Sequence, residues 1–203
     1  MSERYPDKTI IGLTGNIAVG KSLALGALAE LGAAVIDADQ VAHQVLLRGG
    51  AAYEAVLAAF GRGILGADGE IQRGALADVV FADPAQLRRL EAITHPAIRL
   101  EIDRRIRGAK ADVLVIEAIK LLEGDLKNAV DAVWVVDASR ENQLQRLTVE
   151  RGMSPAEARR RIDGQNSQAD KLRQADTIIV NDGSAADTRA QIERAWAALR
   201  DAG

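Results

Sequence analysis

The residues Gly15 to Ser22 have the sequence GNIAVGKS and directly follow an apolar run, Thr9 to Thr14. The segment matches G-x-x-x-x-G-K-[ST], the pattern of a loop that joins a strand to a helix and surrounds phosphate with backbone N–H groups. In such a loop Lys21 reaches the β and γ phosphates of a nucleotide, and Ser22 ligates Mg²⁺. The residues predicted to bind the nucleotide phosphates are Gly15, Asn16, Ile17, Ala18, Val19, Gly20, Lys21, Ser22 and Leu23.

Two aspartates, Asp37 and Asp39, follow a second apolar run, Ala33 to Ile36. They should fall at the carboxyl edge of a sheet, and with a period of two they point the same way if the strand continues. One of them could accept a proton from a hydroxyl substrate or hold a metal-bound water. The alternative is that Asp39 only caps the helix that follows.

Two glutamates, Glu117 and Glu123, flank the end of a third apolar run, Asp112 to Glu117. A carboxylate at this position could bind Mg²⁺ through water. Lys120 lies between them in the sequence and could contact phosphate or pair with one of the glutamates. For all three residues, a solvated loop charge is an equally good interpretation.

An arginine-rich segment runs from about Ser139 to Ala175, with few large apolar residues after Leu147. Because it can bury little surface by itself, we predict a mobile helical lid that closes over the phosphates. Arg146 or Arg151 would then stabilise the charge of a transferring phosphoryl group, whereas most of the other arginines form ordinary salt-bridged helix surface.

Two further polar features lie outside these clusters. His95 precedes Pro96 and has no catalytic partner nearby in the sequence, so it is interpreted as an acceptor-site or structural residue. Asn181 opens the segment NDGS after the last strand, which is typical of a turn and a helix cap. The same turn could present backbone groups to an adenine ring.

The order of the apolar runs predicts an α/β fold. Five near-continuous apolar strands alternate with helical patterns, which is typical of a parallel sheet covered on both faces. About 75 residues separate the second and third strands, far more than one crossover helix needs. That stretch has its own helical pattern from Asp83-Pro84, which His95-Pro96 is expected to break.

We therefore predict a P-loop NTPase-type, five-stranded parallel sheet flanked by helices, with a helical acceptor-binding insertion and a helical lid. The predicted parts are a nucleotide-binding core of about residues 8–39, 109–138 and 176–203, an insertion of about 40–108 and a lid of about 139–175.

The composition narrows the function classes. The chain has no cysteine, which excludes disulfides and thiol catalysis, and its two histidines make a zinc site a poor interpretation. A net charge of −3 and few aromatic residues favour a small-molecule substrate over nucleic acid. No apolar run approaches a membrane span, and the N-terminal residues do not have the pattern of a signal peptide. We expect a cytoplasmic protein, a monomer or weak oligomer, that binds neither nucleic acid nor membrane.

Several sequence blocks, taken in order, resemble the dephospho-CoA kinase family. They are IIGLTGNIAVGKS, VIDADQVAHQVL, FGRGILGADGEIQRGALADVVFADP, His95-Pro96, QLQRLTVERGMSPAEARRRIDGQ and ADTIIVNDGS. The VIDAD block, the block DG-x-x-x-R-x-x-L and the HP pair are specific to that family, whereas the phosphate-loop motif alone is not. The blocks span nearly the whole chain with the family's order and spacing.

The resemblance implies transfer of the ATP γ-phosphate to the ribose 3′-hydroxyl of dephospho-CoA, the last step in making coenzyme A, with Mg²⁺ as cofactor. It implies Asp39 as the general base or metal partner, with Lys21 and Arg146 as the other catalytic groups. Mg²⁺ is assigned to Ser22 and Asp39, and Asn181 joins the ATP-binding residues on the adenine side. The expected acceptor-binding residues are Asp39, Asp68, Arg73, His95 and Lys120.

The chain departs from the family's usual sequence at two places. The loop is commonly GGIGSGKST in the family. In this chain, smaller or hydroxyl-bearing residues of that pattern are replaced by Asn16, Ala18, Val19 and Leu23. The groups that contact phosphate are mainly backbone, so we expect nucleotide binding to be kept. After the third strand, Lys120 replaces a common proline and indicates an extra cation near the phosphates.

Two other functions would use the same phosphate-binding loop. A kinase that acts on a nucleoside, a nucleotide or another small hydroxyl compound would also fit the insertion and the lid. A GTPase-type switch would need a guanine-binding N-K-x-D sequence after a late strand, and NDGS stands there instead.

Overall fold

The structure, a computed structural model, describes residues 5–123 and 125–201. Its five strands form one all-parallel sheet in the order β2-β3-β1-β4-β5, which confirms the predicted α/β class. The strands are β1 Thr9–Thr14, β2 Ala34–Asp37, β3 Val113–Glu117, β4 Ala132–Asp137 and β5 Thr177–Val180.

Helices connect the strands, and among the described residues no helix is both long and apolar enough to cross a bilayer. The α-helices are α1 Lys21–Glu30, α2 Ala38–Gln44, α3 Tyr53–Phe60, α4 Arg73–Ala82, α5 Pro84–Gly108, α6 Arg140–Gln145, α7 Pro155–Asp163, α8 Gln168–Leu172 and α9 Ala185–Asp201. Short 3₁₀ turns cover Arg62–Ile64, Leu121–Glu123 and Asp125–Ala129, and a π-helical turn covers Arg146–Glu150.

The central strands are buried along nearly their whole length because apolar side chains point to both faces of the sheet. Leu13 and Trp134 pack with Leu28 of α1 and with Ile192 and Trp196 of α9 in one core cluster. Burying each of these side chains contributes roughly 1.5–3 kcal/mol. The sheet is therefore a firm support for the loops at its carboxyl edge.

The register of the sheet decides which residues meet at that edge. Leu13, the last residue but one of β1, pairs with Glu117 of β3 and with Trp134 of β4. The carboxyl ends of β3 and β4 therefore flank the residues that follow Thr14.

The described chain divides into two compact units, one formed by the residues up to 36 and from 109 onward, the other by Asp37–Gly108. The first unit contains β1, β3, β4 and β5, all of β2 except Asp37, and the helices α1 and α6 to α9. The second contains α2 to α5, a 3₁₀ turn and a single bridge between Leu65 and Ile71.

The long helix of the second unit contradicts one prediction. α5 continues through Pro96 to Gly108, so the expected break at His95-Pro96 is wrong. A proline inside a helix removes one hydrogen bond and costs about 3 kcal/mol. Packing offsets that cost, since α5 contacts α2, α3 and α4 and buries Thr94 before the proline and Ile102 and Ile106 after it.

A cluster of charges also stabilises the C-terminal half of α5. Glu101 accepts hydrogen bonds from Arg104 and Arg105 on the same helix face. The guanidinium of Arg104, and next that of Arg105, lowers the pKa of the Glu101 carboxyl to about 2. Arg105 also donates a hydrogen bond to Gln44 of α2, which joins the two helices.

The two aspartates at the end of the second strand and just after it have different conformations. β2 ends at Asp37, whose carboxylate accepts a hydrogen bond of 2.8 Å from the Gln40 N–H and caps α2. The residue that caps the helix is therefore Asp37 and not Asp39. The strand does not continue, so the expected period of two does not apply. Asp39 is exposed in the first turn of α2.

Candidate functional site

The loop between β1 and α1 adopts a backbone that its glycines make possible. Gly15 has φ +152°, and a Cβ there would lie 2.5 Å from the carbonyl oxygen of Val136. Gly20 has φ +97°, and a Cβ there would lie 1.9 Å from Nδ2 of Asn181. Between them, Ala18 is left-handed with φ +58°, which is unusual for a residue with a Cβ. Both glycines of the motif are therefore required by conformation and by close neighbours.

Lys21 bends back over the start of the loop. Its Nζ donates hydrogen bonds to the carbonyl oxygens of Gly15 at 2.9 Å and Asn16 at 3.4 Å. Oε1 of Glu117, at the end of β3, lies 3.8 Å from the same Nζ. The register of β1 and β3 thus brings Glu117 to the predicted phosphate lysine, a role that the sequence left undecided. The side chain of Glu123 lies outside the described residues.

Arg146 holds the second half of the loop from the lid segment. Its Nη1 donates to the Ala18 carbonyl oxygen at 3.0 Å, and its Nη2 donates to the Asn181 carbonyl oxygen at 2.7 Å. Arg146 begins the π-helical turn that follows α6. Such turns are frequent at functional sites. The guanidinium therefore joins the loop to the turn after β5.

Asn181 is a buried support of the loop. Its Nδ2 donates to the Val19 carbonyl oxygen at 2.8 Å, and its Oδ1 accepts from the Thr188 hydroxyl at 2.9 Å. Only 5 % of the residue is exposed. In this arrangement both ends of the side-chain amide are engaged within the protein, and the backbone of the following turn is the part that could meet a nucleotide.

The turn after Asn181 is tied to the start of α6. Asp182 Oδ1 accepts hydrogen bonds from the Ser139 N–H at 2.7 Å and from Nδ2 of Asn142 at 2.8 Å. The Ser139 N–H, and next the Asn142 amide, lowers the pKa of the Asp182 carboxyl. Asp182 is therefore an ionised anchor of this turn.

The backbone N–H groups of the loop fall into two sets. Those of Asn16 and Ile17 donate to the side-chain oxygens of Gln168 and Gln165. Within the described residues, those of Ala18, Val19 and Gly20 donate to no acceptor. Three consecutive amides without a protein partner, next to the N-terminus of α1, form a site suited to a phosphate group.

The residues present suit Mg²⁺ bound together with a nucleotide. In the described part of the chain, no three carboxylates or histidines lie close enough to hold an ion by themselves. Mg²⁺ usually binds phosphate oxygens and water with only one or two protein ligands. Ser22 is exposed in the first turn of α1, and Glu117 lies beside Lys21, so a hydroxyl and a carboxylate lie next to the loop.

The arginine-rich lid segment buries a small apolar cluster against the loop. Leu147 and Ala158 are fully buried with Ala18, and Ile17 packs at the edge of the cluster. Arg140 forms an exposed ion pair of 2.7 Å with Asp163, whereas Arg151 is exposed. Of the predicted lid arginines, Arg146 is therefore the one that contacts the loop.

The predicted acceptor-binding residues of the second unit are on its surface. Arg73 begins α4 and His95 lies within α5; both are exposed and make no hydrogen bond or ion pair with the described residues. Asp68 is exposed in a tight turn, where Oδ1 accepts from the Glu70 N–H at 3.0 Å and Gly69 has φ +78°. Asp68 and Gly69 thus shape this turn.

Lys120 is exposed in the loop after β3, and the backbone before it is firmly held. The carbonyl oxygen of Ile119 accepts hydrogen bonds from the buried Nζ of Lys171 at 3.0 Å and from the Thr14 hydroxyl at 3.2 Å. Lys120 therefore projects from a fixed backbone in the first unit.

Sequence reasoning missed two residues of the site, Gln165 and Gln168. Glutamine occurs widely on helix surfaces and has no diagnostic spacing, so no local signal distinguished them from their neighbours. Leu23, predicted with the loop residues, lies half-buried in the first turn of α1.

A family model and curated relatives that match this chain all carry the name dephospho-CoA kinase. The model of the dephospho-CoA kinase family matches residues 9–187. A relative named dephospho-CoA kinase from Symbiobacterium thermophilum is 46% identical over 192 residues, 93% of this chain and 80% of the relative. Another of that name from Geobacter sulfurreducens is 43% identical over 191 residues, 93% of this chain and 97% of the relative.

Solved structures match the fold. TT1252 from Thermus thermophilus is similar with a TM-score of 0.83 and 29% identity, covering 95% of this chain and 97% of that one. Dephospho-CoA kinase from Campylobacter jejuni is similar with a TM-score of 0.69, the same identity and the same coverage. Shikimate kinase from Bacteroides thetaiotaomicron, at 15% identity and a TM-score of 0.53, is similar in fold alone.

Proposed function

The chain belongs to the dephospho-CoA kinase family, and on that basis we propose that it transfers the γ-phosphoryl group of ATP to the 3′-hydroxyl group of dephospho-CoA. The observation that carries the proposal is the family match along residues 9–187, which includes a loop whose three consecutive amides donate to no acceptor within the described residues. In the reaction, the bond between the γ-phosphorus and the β–γ bridging oxygen breaks. A bond to the ribose oxygen forms, ADP leaves, and the hydroxyl proton is released.

The loop binds the phosphates in this proposal. The amides of Ala18, Val19 and Gly20 donate to the β-phosphate, and the dipole of α1 adds favourable potential. Lys21 exchanges its contacts with the loop carbonyl oxygens for the β and γ phosphates. The three amides are already held in place by the loop, so they need little reorganisation as charge moves to the leaving group.

Mg²⁺ would be held by the Ser22 hydroxyl directly and by Glu117 through water, with phosphate oxygens completing its coordination. When bound, it neutralises charge on the β and γ phosphates. Glu117 has a second role in this arrangement, since it keeps the ammonium of Lys21 beside the loop. Asp39 remains a second candidate for the metal.

Arg146 stabilises the transferring phosphoryl group. Its contacts with Ala18 and Asn181 use two of its five N–H donors, so three remain for oxygen atoms of the nucleotide. Because both Nη atoms are held, the plane of the guanidinium is fixed. A fixed donor suits the transferring phosphoryl group, on which charge develops during the reaction.

Asp39 accepts the proton of the acceptor hydroxyl, and alternatively its carboxylate would be a ligand of Mg²⁺. Its carboxylate is exposed at the start of α2, two residues after the end of β2. Arg73 and His95, with Lys120, supply cationic or hydrogen-bonding groups for the phosphates of the acceptor. Asp68 contributes through the turn that it shapes.

The test is turnover of purified chain with ATP, Mg²⁺ and dephospho-CoA, followed by coupled detection of ADP. The product is identified as coenzyme A by chromatography, and ³¹P spectroscopy checks that the new phosphate is a 3′-monoester. AMP and nucleosides serve as alternative acceptors. Turnover of a nucleotide without turnover of dephospho-CoA would contradict the proposal.

A matched pair of lysine variants isolates the chemistry of the loop. Lys21→Ala should lower kcat by about 100-fold or more and also weaken ATP binding, because a preorganised charge at the phosphates is lost. Lys110→Ala removes an exposed lysine of the same unit and should leave both quantities unchanged. Tight and productive ATP binding by Lys21→Ala would show that the loop does not work as described.

We also propose that the protein is cytoplasmic and is a monomer or weak oligomer. Its partners are the small molecules ATP and dephospho-CoA.

A further inference from the structure

Two glutamines of the lid segment contact the phosphate-binding loop at its first two amides. Gln168 Oε1 accepts from the Asn16 N–H at 3.1 Å, and Gln165 Oε1 accepts from the Ile17 N–H at 2.6 Å. An N–H group can be met only by an acceptor, so the oxygen of each carboxamide must face the loop. The orientation of both side chains is therefore determined by their chemistry.

Gln168 connects the loop to the sheet. Its Nε2 donates to the Val136 carbonyl oxygen at 3.1 Å and to Oδ1 of Asp137 at 3.0 Å, at the end of β4. A neighbouring contact adds to this, because Nδ2 of Asn16 donates to the Asn166 carbonyl oxygen at 3.1 Å. The first half of the loop is thus attached both to β4 and to the segment between α7 and α8.

The hydrogen bonding of the loop amides changes immediately after the attached residues. Ala18 has φ +58°, a left-handed conformation that costs free energy for a residue with a Cβ and persists only where contacts hold it. Before this point the amides of Asn16 and Ile17 face the glutamines. After it, the amides of Val19 and Gly20 donate to no acceptor within the described residues.

We propose that Gln165 and Gln168 are positioning residues for phosphoryl transfer. They hold the amides of Asn16 and Ile17 and thereby keep the three following amides directed at the β-phosphate. This proposal depends on the proposed function in one respect, which is that the ligand is a nucleotide with a β-phosphate. Glutamines that only stabilised the fold would leave the preference for a β-phosphate unchanged.

The experiment compares the binding of ADP and AMP to Gln165→Met and Gln168→Met. Methionine has the length of glutamine and lacks a strong acceptor. The control is Gln145→Met in the same lid segment, whose exposed side chain makes no hydrogen bond with the described residues. Dissociation constants come from displacement of a fluorescent ADP analogue, and Trp fluorescence establishes that each variant is folded.

Loss of one aligned hydrogen bond to the loop should lower the ratio of ADP to AMP affinity about 5- to 10-fold in each glutamine variant. In turnover, kcat should fall while KM for dephospho-CoA stays the same. An unchanged ratio, with or without a loss of thermal stability, overturns the proposal. If Gln168→Met does not fold, Gln165→Met decides the question. Neither binding measurement needs an acceptor, so a failure of dephospho-CoA turnover would leave this result interpretable.

Discussion

Replacing Gly20 with alanine tests whether the loop and Asn181 form one structural unit. The new Cβ would lie 1.9 Å from Nδ2 and 3.1 Å from Cγ of Asn181. Both atoms belong to a buried side chain, since only 5% of Asn181 is exposed. Asn181 must therefore leave its position, and its hydrogen bonds with Val19 and Thr188 are lost.

The expected cost follows from these contacts. The φ of +97° is unfavourable for alanine by about 1–2 kcal/mol. The two lost hydrogen bonds add about 2 kcal/mol, so the free energy of unfolding should fall by about 3–4 kcal/mol in Gly20→Ala. Asn181→Ala should cost about 2–3 kcal/mol, because the Val19 carbonyl oxygen is left without its donor.

The double variant separates the steric conflict from the strain. With Asn181 shortened, the Cβ at position 20 meets no amide, and only the strain is added to the cost of Asn181→Ala. The double variant should therefore lose about 3–5 kcal/mol, whereas the two single costs sum to about 5–7 kcal/mol. The difference between the summed single costs and the cost of the double variant is the coupling energy, about 2 kcal/mol. It equals the contribution of the hydrogen bonds that both single variants lose.

Urea unfolding followed by tryptophan fluorescence measures these values. Trp134 and Trp196 are both buried in the core of the first unit, so the signal reports the unit that contains the loop. The reasoning would be refuted if the sum of the two single-variant costs equalled the cost of the double variant to within about 0.5 kcal/mol, since residues in contact should be coupled.

Two predictions concern other groups. Asp39→Asn should lower kcat about 100-fold or more while the KM for ATP stays within about twofold, because the proton acceptor is lost and the loop remains. Steady-state kinetics measure both quantities, with Asp78→Asn on α4 as the exposed control. A near-normal kcat for Asp39→Asn would exclude the role of proton acceptor. Because the pKa of Glu101 is about 2 in the folded chain and about 4.3 in an unfolded one, its contribution to stability is complete above pH 4.3 and is lost as the pH falls toward 2. The Tm difference between the wild type and Glu101→Gln should therefore shrink over that range, whereas a difference that did not depend on pH would contradict the assigned cause.

The sequence by itself determined the elements whose signal is local. The phosphate-binding loop is a contiguous motif, and its glycines are required by backbone conformation at their own positions. The five strands follow from short apolar runs, and the three central strands need such runs because they are buried on both faces. The cap at Ser139 was also predictable, since its hydroxyl accepts from an N–H only three residues away.

Only the tertiary structure decided what lies around the loop. Gln168 meets Asn16 across 152 positions of the sequence, and Arg146 meets Ala18 across 128. No spacing rule links residues so far apart, and glutamine carries no signal of its own. Packing also overruled local preference at Pro96, where contacts on both sides keep α5 continuous. The sequence thus predicted that phosphate binds here, and the packing of the lid segment against the loop decided which distant side chains hold the loop, because only the folded chain brings them within hydrogen-bonding distance.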